Sequence, residues 1–244
     1  SRRRHTRYGT VTGVQTCALP ILLALAEREG FSGRHLIDAF IVAVEVACRV
    51  GRYVAPTHYA TGWHATATVG AIGAAAGAAR AVGLDADGIA RAMGLAASQA
   101  GGLKSMFGTM CKPFHPGNAA RNGLLAALLA QRDFTSSAQG IEAKRGFANV
   151  LSTGFKPGAI TERLGATWEI ALNTYKPFAC GIVEHPAIDG CIQLRKNFNL
   201  KPDDIEHVEL KVHPLVLELT GKKAPQVGLE GKFSVYHRSE EHSL

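Results

Sequence analysis

Apolar positions recur every three to four residues through the first two thirds of the chain, and that period predicts helices. Leu22, Leu23 and Leu25 mark a short helix over 21–29, with Gly30 placed to end it as a C-cap. Ser32 can cap a second helix in which Leu36, Phe40 and Val44 fall every four residues and Glu45 lies in the middle; Gly51 marks its end. Residues 65–82 are almost all Ala and Gly, small side chains that let neighbouring helices approach closely. Asp87 reads as the cap of a helix over 88–100, which Gly101 and Gly102 break. A loop over 103–117, rich in Gly, Met and Pro, leads into a helix over 118–131, and Ser136 and Ser137 open a further short helical stretch.

The texture changes from Trp168. Residues 175–181 read as a loop, and 184–197 as a helix with Ile188, Ile192 and Leu194 inward. Residues 205–213 alternate as a strand through Ile205, Val208, Leu210 and Val212. A short helix over 215–220 follows, and 228–237 reads as a loop. The pattern predicts an all-helical domain over 21–160 followed by the start of a smaller α/β domain over 161–237. Residues 1–20 show no period and end where the first amphipathic pattern begins. They and 238–244 read as tails foreign to the fold, which makes 21–237 an internal fragment of a longer protein.

Composition then narrows the function. The chain has 244 residues, is 46% hydrophobic and carries a formal charge of +7. Arg2, Arg3, Arg4 and Arg7 supply +4 of that charge and the last seven residues −1, so the middle holds +4 spread thinly. No basic stripe interleaves with aromatics, which argues against a nucleic-acid partner. The Ala/Gly segment is too weakly hydrophobic to span a bilayer. Five cysteines without a CxxC pair suit a reducing cytoplasm and give no metal signature.

The candidate chemistry lies in Lys112-Pro-Phe-His-Pro-Gly, a lysine and a histidine three residues apart beside a helix N-terminus. Cations together with free N–H groups form a receptor for a carboxylate. His64, at the start of the Ala/Gly helix, is a candidate base or carboxylate ligand, or else a histidine packed into the helix boundary. Lys176 precedes Pro177, so its backbone is extended; it is either a cleft lysine or a surface one. His115 orients the loop or touches substrate, His185 donates a proton or caps, and Lys232 and Ser234 are placed to close the site. Ser98, Gln99 and the Gly101-Gly102 turn shape the site rather than react.

Four blocks carry a resemblance: Gly62-Trp-His-Ala-Thr-Ala-Thr-Val-Gly-Ala-Ile-Gly-Ala-Ala, Ala96-Ala-Ser-Gln-Ala-Gly-Gly-Leu, Lys112-Pro-Phe-His-Pro-Gly-Asn-Ala-Ala-Arg-Asn-Gly and Leu229-Glu-Gly-Lys-Phe-Ser. In this order and spacing they resemble the MmgE/PrpD family of 2-methylcitrate dehydratase-like proteins. The resemblance covers 21–237. It implies a helical domain joined to a smaller α/β domain, no metal or organic cofactor, and a cytoplasmic homodimer acting on small di- and tricarboxylates. The shared chemistry it implies is removal of a proton next to a carboxylate, with His64, Lys112 and Lys176 at catalytic positions. His115, His185, Lys232 and Ser234 are the substrate-binding candidates. A histidine that cis-aconitate decarboxylases carry falls on Gly181 here, which favours dehydration over decarboxylation. An epimerase using the same proton abstraction and a non-catalytic helical dimerisation protein are the alternatives.

Overall fold

The computed structural model describes residues 10–237, with side chains from Cys17 onward. These residues divide into two compact units, one of 10–105 and Pro113–Thr174, the other of Met106–Lys112 and 175–237.

The first unit is helical. Its elements are α1 (Thr10–Glu29), α2 (Gly33–Val54), α3 (Thr57–Thr61), α4 (Ala65–Ala81), α5 (Ala86–Ala97), most of α6 (Cys111–Ala130) and α7 (Phe147–Leu151). Helix α4 is the hub, packing on α1, α2 and α5. It is apolar all round, and nearly every residue from Thr66 to Ala81 is buried, as a helix without a polar face requires. Its glycines allow that closeness. A Cβ on Gly73 would lie 2.6 Å from the Ala43 carbonyl oxygen of α2, and one on Gly77 2.9 Å from that of Ala39. The largest cluster of buried apolar residues joins Ala18, Leu22 and Leu25 of α1 to Ala75, Ala78 and Ala79 of α4 and Ala126, Ala127 and Ala130 of α6.

Several boundaries differ from the sequence pattern. Helix α1 starts at Thr10, not at residue 21, and runs through Pro20. Proline removes only one N–H from the ladder, and Ala18, Leu22 and Leu25 share one buried face, so burial outweighs the break. The part of the predicted N-terminal tail from Thr10 is therefore helical, with Cys17 and Ala18 buried. Residues 1–9 and 238–244 lie outside the described residues. Ser32 caps α2 as expected, accepting from the His35 N–H at 3.2 Å, but Gly51 is buried inside the helix and does not end it. Asp85, not Asp87, caps α5, accepting from the Gly88 N–H at 2.8 Å. The helix predicted from residue 118 begins at Cys111; Pro113 falls in its first turn, where N–H groups have no partner anyway, and Pro116 lies inside the helix. The helical stretch expected at Ser136 forms instead over Phe147–Leu151.

The second unit holds α8 (His185–Phe198), α9 (Pro214–Thr220) and α10 (Gly228–Gly231), the last inside the stretch predicted as loop. Helices α8 and α9 both pack on a 3-10 turn over Ile182–Glu184. Ile188 is buried, whereas Leu194 is half exposed and not inward as predicted. No strand forms among the described residues; pairing is limited to the single bridges Trp63–Leu103 and Gly221–Ser234. The helical fold is as expected, and no sheet of the α/β part forms among the described residues. Residues 205–213 lack the neighbouring backbone that a strand needs for its N–H and C=O groups. Among the described residues no helix is long and apolar enough to cross a membrane.

Candidate functional site

In the first unit, two of the predicted residues meet. His64 is the N-cap residue of α4, and its carbonyl accepts from the Ala67 and Thr68 N–H groups at 2.8 and 3.2 Å. Its own N–H donates to the Gly102 carbonyl at 3.0 Å. His115 stands in the first turns of α6, and its Nδ1 lies 2.9 Å from the Nδ1 of His64, with both rings buried. Gly102 makes room for the pair. Its φ is +133°, and a Cβ there would lie 2.5 Å from the Ala67 Cβ and 3.3 Å from the His115 ring. Only glycine suits that backbone and that approach.

Behind them is a histidine that the sequence pattern did not single out. The His58 Nδ1 lies 2.9 Å from the Leu151 carbonyl, which can only accept, so Nδ1 carries the hydrogen. Burial lowers the His58 pKa and keeps the ring neutral, which leaves Nε2 to accept the Thr68 hydroxyl at 2.7 Å. Thr68 is one turn along α4 from His64. His58 lies in a segment without periodicity, and no spacing marks it.

In the second unit, Lys176 and Lys232 come within electrostatic reach of Lys112. The Lys112 Nζ lies 5.4 Å from the Phe233 ring centroid and 6.0 Å from that of Phe107, and these two rings pack at 5.7 Å. Burial, then the charges of Lys176 and Lys232, lower the Lys112 pKa. Among the described residues no carboxylate forms an ion pair with it. Lys176 donates to the Cys180 carbonyl at 3.3 Å. Lys176 is exposed overall, though partial desolvation of its ammonium lowers its pKa, opposed by Cys180 and Glu184.

His185 opens α8 beside this group, its ring edge-on to Phe178 at 5.4 Å. Burial and the Lys176 charge lower its pKa; the Cys180 and Phe178 backbone raises it in part. No hydrogen bond satisfies its buried Nε2 among the described residues. Lys232 is exposed, and its carbonyl accepts the Gly181 N–H at 3.0 Å. Ser234 is fully buried: its hydroxyl donates to the Lys222 carbonyl and accepts from the His237 N–H at 3.1 Å, so it serves the backbone. At Gly181 a Cβ would meet the Thr220 Cγ2 at 2.9 Å, which closes that position to a side chain unless Thr220 moves. Neither Phe107 nor Phe233 is legible as a site residue from spacing.

The sequence matches the model of the MmgE/PrpD N-terminal domain over residues 7–159 and that of the MmgE/PrpD C-terminal domain over 178–238. The chain belongs to the MmgE/PrpD family. Relatives with curated names include human cis-aconitate decarboxylase, 29% identical over 206 residues that make up 80% of this chain and 43% of that protein. An Aspergillus terreus cis-aconitate decarboxylase is 33% identical over 183 residues, 69% of this chain and 37% of its own length. The cis-aconitate decarboxylase-like protein oryM of Aspergillus oryzae is 31% identical over 196 residues, 74% of this chain and 41% of its own. This MmgE/PrpD chain thus spans about two fifths of the length of the curated relatives it matches.

Proposed function

We propose that this protein is a lyase that acts on a small di- or tricarboxylate by removing a proton next to a carboxylate, of the 2-methylcitrate dehydratase type. The observation that carries the reading is the convergence of Lys112, Lys176 and Lys232, with the Lys112 ammonium desolvated and unpaired by any described carboxylate. A half-buried ammonium flanked by two further cations costs energy unless an anion joins it. A polycarboxylate supplies that anion.

Removing a proton alpha to a carboxylate builds negative charge on groups already charged. Fixed cations must therefore meet the transition state, and a base must take the proton. In this reading Lys112 and Lys176 hold substrate carboxylates and His64 performs the acid/base work. His185, whose lowered pKa keeps it neutral at pH 7, supports substrate in the second unit. A second reading is decarboxylation, favoured by the names of the relatives; the closed position at Gly181 counts against it.

The test is an assay of the intact protein on 2-methylcitrate, citrate and cis-aconitate, following water transfer and CO2 separately. Water loss or gain that disappears in Lys112→Ala supports the dehydratase reading, and CO2 release supports the second. Exchange of the alpha proton with solvent deuterium, without loss of water or CO2, would replace both with an epimerase.

A further inference from the structure

A lysine becomes a nucleophile when its ammonium is poorly solvated and crowded by other cations, because the neutral amine then carries a free lone pair. Three features of the second unit put Lys112 in that situation. Its side chain is half-buried, with Nζ 5.4 Å from the Phe233 ring centroid and 6.0 Å from that of Phe107. Among the described residues its Nζ has neither a hydrogen-bond acceptor nor a carboxylate partner. Two more cations are gathered toward it through one short stretch of backbone. Lys176 Nζ donates to the Cys180 carbonyl at 3.3 Å, and the next residue, Gly181, donates its N–H to the Lys232 carbonyl at 3.0 Å. Phe233, whose ring lies under Lys112, directly follows Lys232.

The three lysines are not equivalent. Lys176 gives a hydrogen to a carbonyl and Lys232 is exposed, whereas Lys112 Nζ meets ring faces. We propose that Lys112 is a covalent capture site for a small 2-oxo dicarboxylate, forming an imine with its carbonyl carbon while Lys176 and Lys232 hold the two carboxylates. Imine formation goes beyond the lyase reading and is independent of it, since it needs no proton abstraction next to a carboxylate. Burial and the two neighbouring charges, which lower the Lys112 pKa, enlarge the fraction of neutral amine available for it.

The step balances. The amine lone pair adds to the carbonyl carbon while the C=O π pair moves to oxygen, and a proton passes from nitrogen to that oxygen. The second N–H proton then leaves as the hydroxyl group departs. One water is released and a C=N bond replaces C=O, with no oxidation or reduction. The neutral imine removes one positive charge from the cluster, and the carboxylates offset the two that remain.

The test is reductive trapping on the unsubstituted full chain. With 2-oxoglutarate and cyanoborohydride at pH 7, peptide mapping by mass spectrometry is expected to find the reduced adduct on Lys112, formed about 10-fold faster than on any exposed lysine. Excess glutarate, the same dicarboxylate without the oxo group, should slow that labelling about 10-fold by occupying Lys176 and Lys232. Lys112→Arg keeps a cation but cannot form an imine, so the fast labelling should vanish. Adducts spread evenly over the exposed lysines, a fast phase that survives in Lys112→Arg, or labelling that glutarate leaves unchanged each overturn the proposal. If Lys112 is trapped while no polycarboxylate loses water or CO2, the lyase reading falls and the imine stands; turnover with Lys112 unlabelled gives the reverse.

Discussion

Lys112 sits where its charge is poorly solvated. Aromatic rings at 5.4 and 6.0 Å offer some compensation, but burial and two neighbouring lysines push its pKa below the ordinary 10.5. Between the folded pKa and 10.5 the unfolded chain binds more protons than the folded one, so stability rises with pH across that window. Below it the charged lysine is a standing cost, tolerable if the site exists to hold an anion. Lys112→Met should therefore raise the unfolding free energy by ~1 kcal/mol at pH 7 in a urea melt. It should also flatten the alkaline gain and abolish binding of citrate by calorimetry. A variant less stable than the parent chain would show that the lysine supports the fold. Lys112 and His64 were legible as candidates because their motifs are local. The Nδ1 contact of His64 was not, since it joins residues 51 positions apart. Ser234 read in sequence as a substrate-binding candidate and is bound to the backbone on both sides.

At the scale of elements, the same residue type has opposite consequences in two helices. Gly73 of α4 faces α2, where an added Cβ would lie 2.5 Å from the Ala47 Cβ and 2.6 Å from the Ala43 carbonyl oxygen. Gly117 of α6 has nothing within 4 Å of an added Cβ and its φ is not positive. Gly73→Ala should cost roughly 1–3 kcal/mol by forcing α2 and α4 apart. Gly117→Ala should stabilise by about 0.5–1 kcal/mol, because alanine loses less backbone freedom on folding. Chemical denaturation of the two variants side by side checks both signs. Spacing predicts α2, α4, α8 and α9 well, because each carries either a regular apolar face or a long run of small residues. It fails at the start of α1 and α6. There Pro20, Pro113 and Pro116 read as stops, although tertiary burial tolerates Pro20, the free N–H groups of a first turn tolerate Pro113, and Pro116 stands inside α6.

For the whole molecule, the change of texture at Trp168 does not coincide with the division into units, which falls after Thr174. The cause is a buried ion pair that no local pattern announces. Glu45 and Arg49, one turn apart on α2, meet at 2.6 Å with both side chains buried. Arg49 donates to the carbonyls of Ile160, Glu162 and Thr167 at 2.8, 2.9 and 3.2 Å, while Glu45 accepts the Glu169 N–H at 2.7 Å. The segment 160–169 is thereby fixed to α2 through its backbone, which sequence periodicity cannot encode. The strand predicted over 205–213 fails for the complementary reason. Its alternation leaves Leu210 and Val212 half-buried, but alternation supplies no hydrogen-bonding neighbour. Arg49→Met tests the anchor. It leaves Glu45 as an uncompensated buried charge and frees three carbonyls, so the unfolding free energy should fall by roughly 3–5 kcal/mol. Limited proteolysis should then cut first within 160–168. Adding Glu45→Gln to that variant removes the stranded charge but not the lost carbonyl contacts, so stability should recover in part while the cleavage persists. Full recovery of both would mean that charge balance alone, and not the backbone grip, holds this segment on α2.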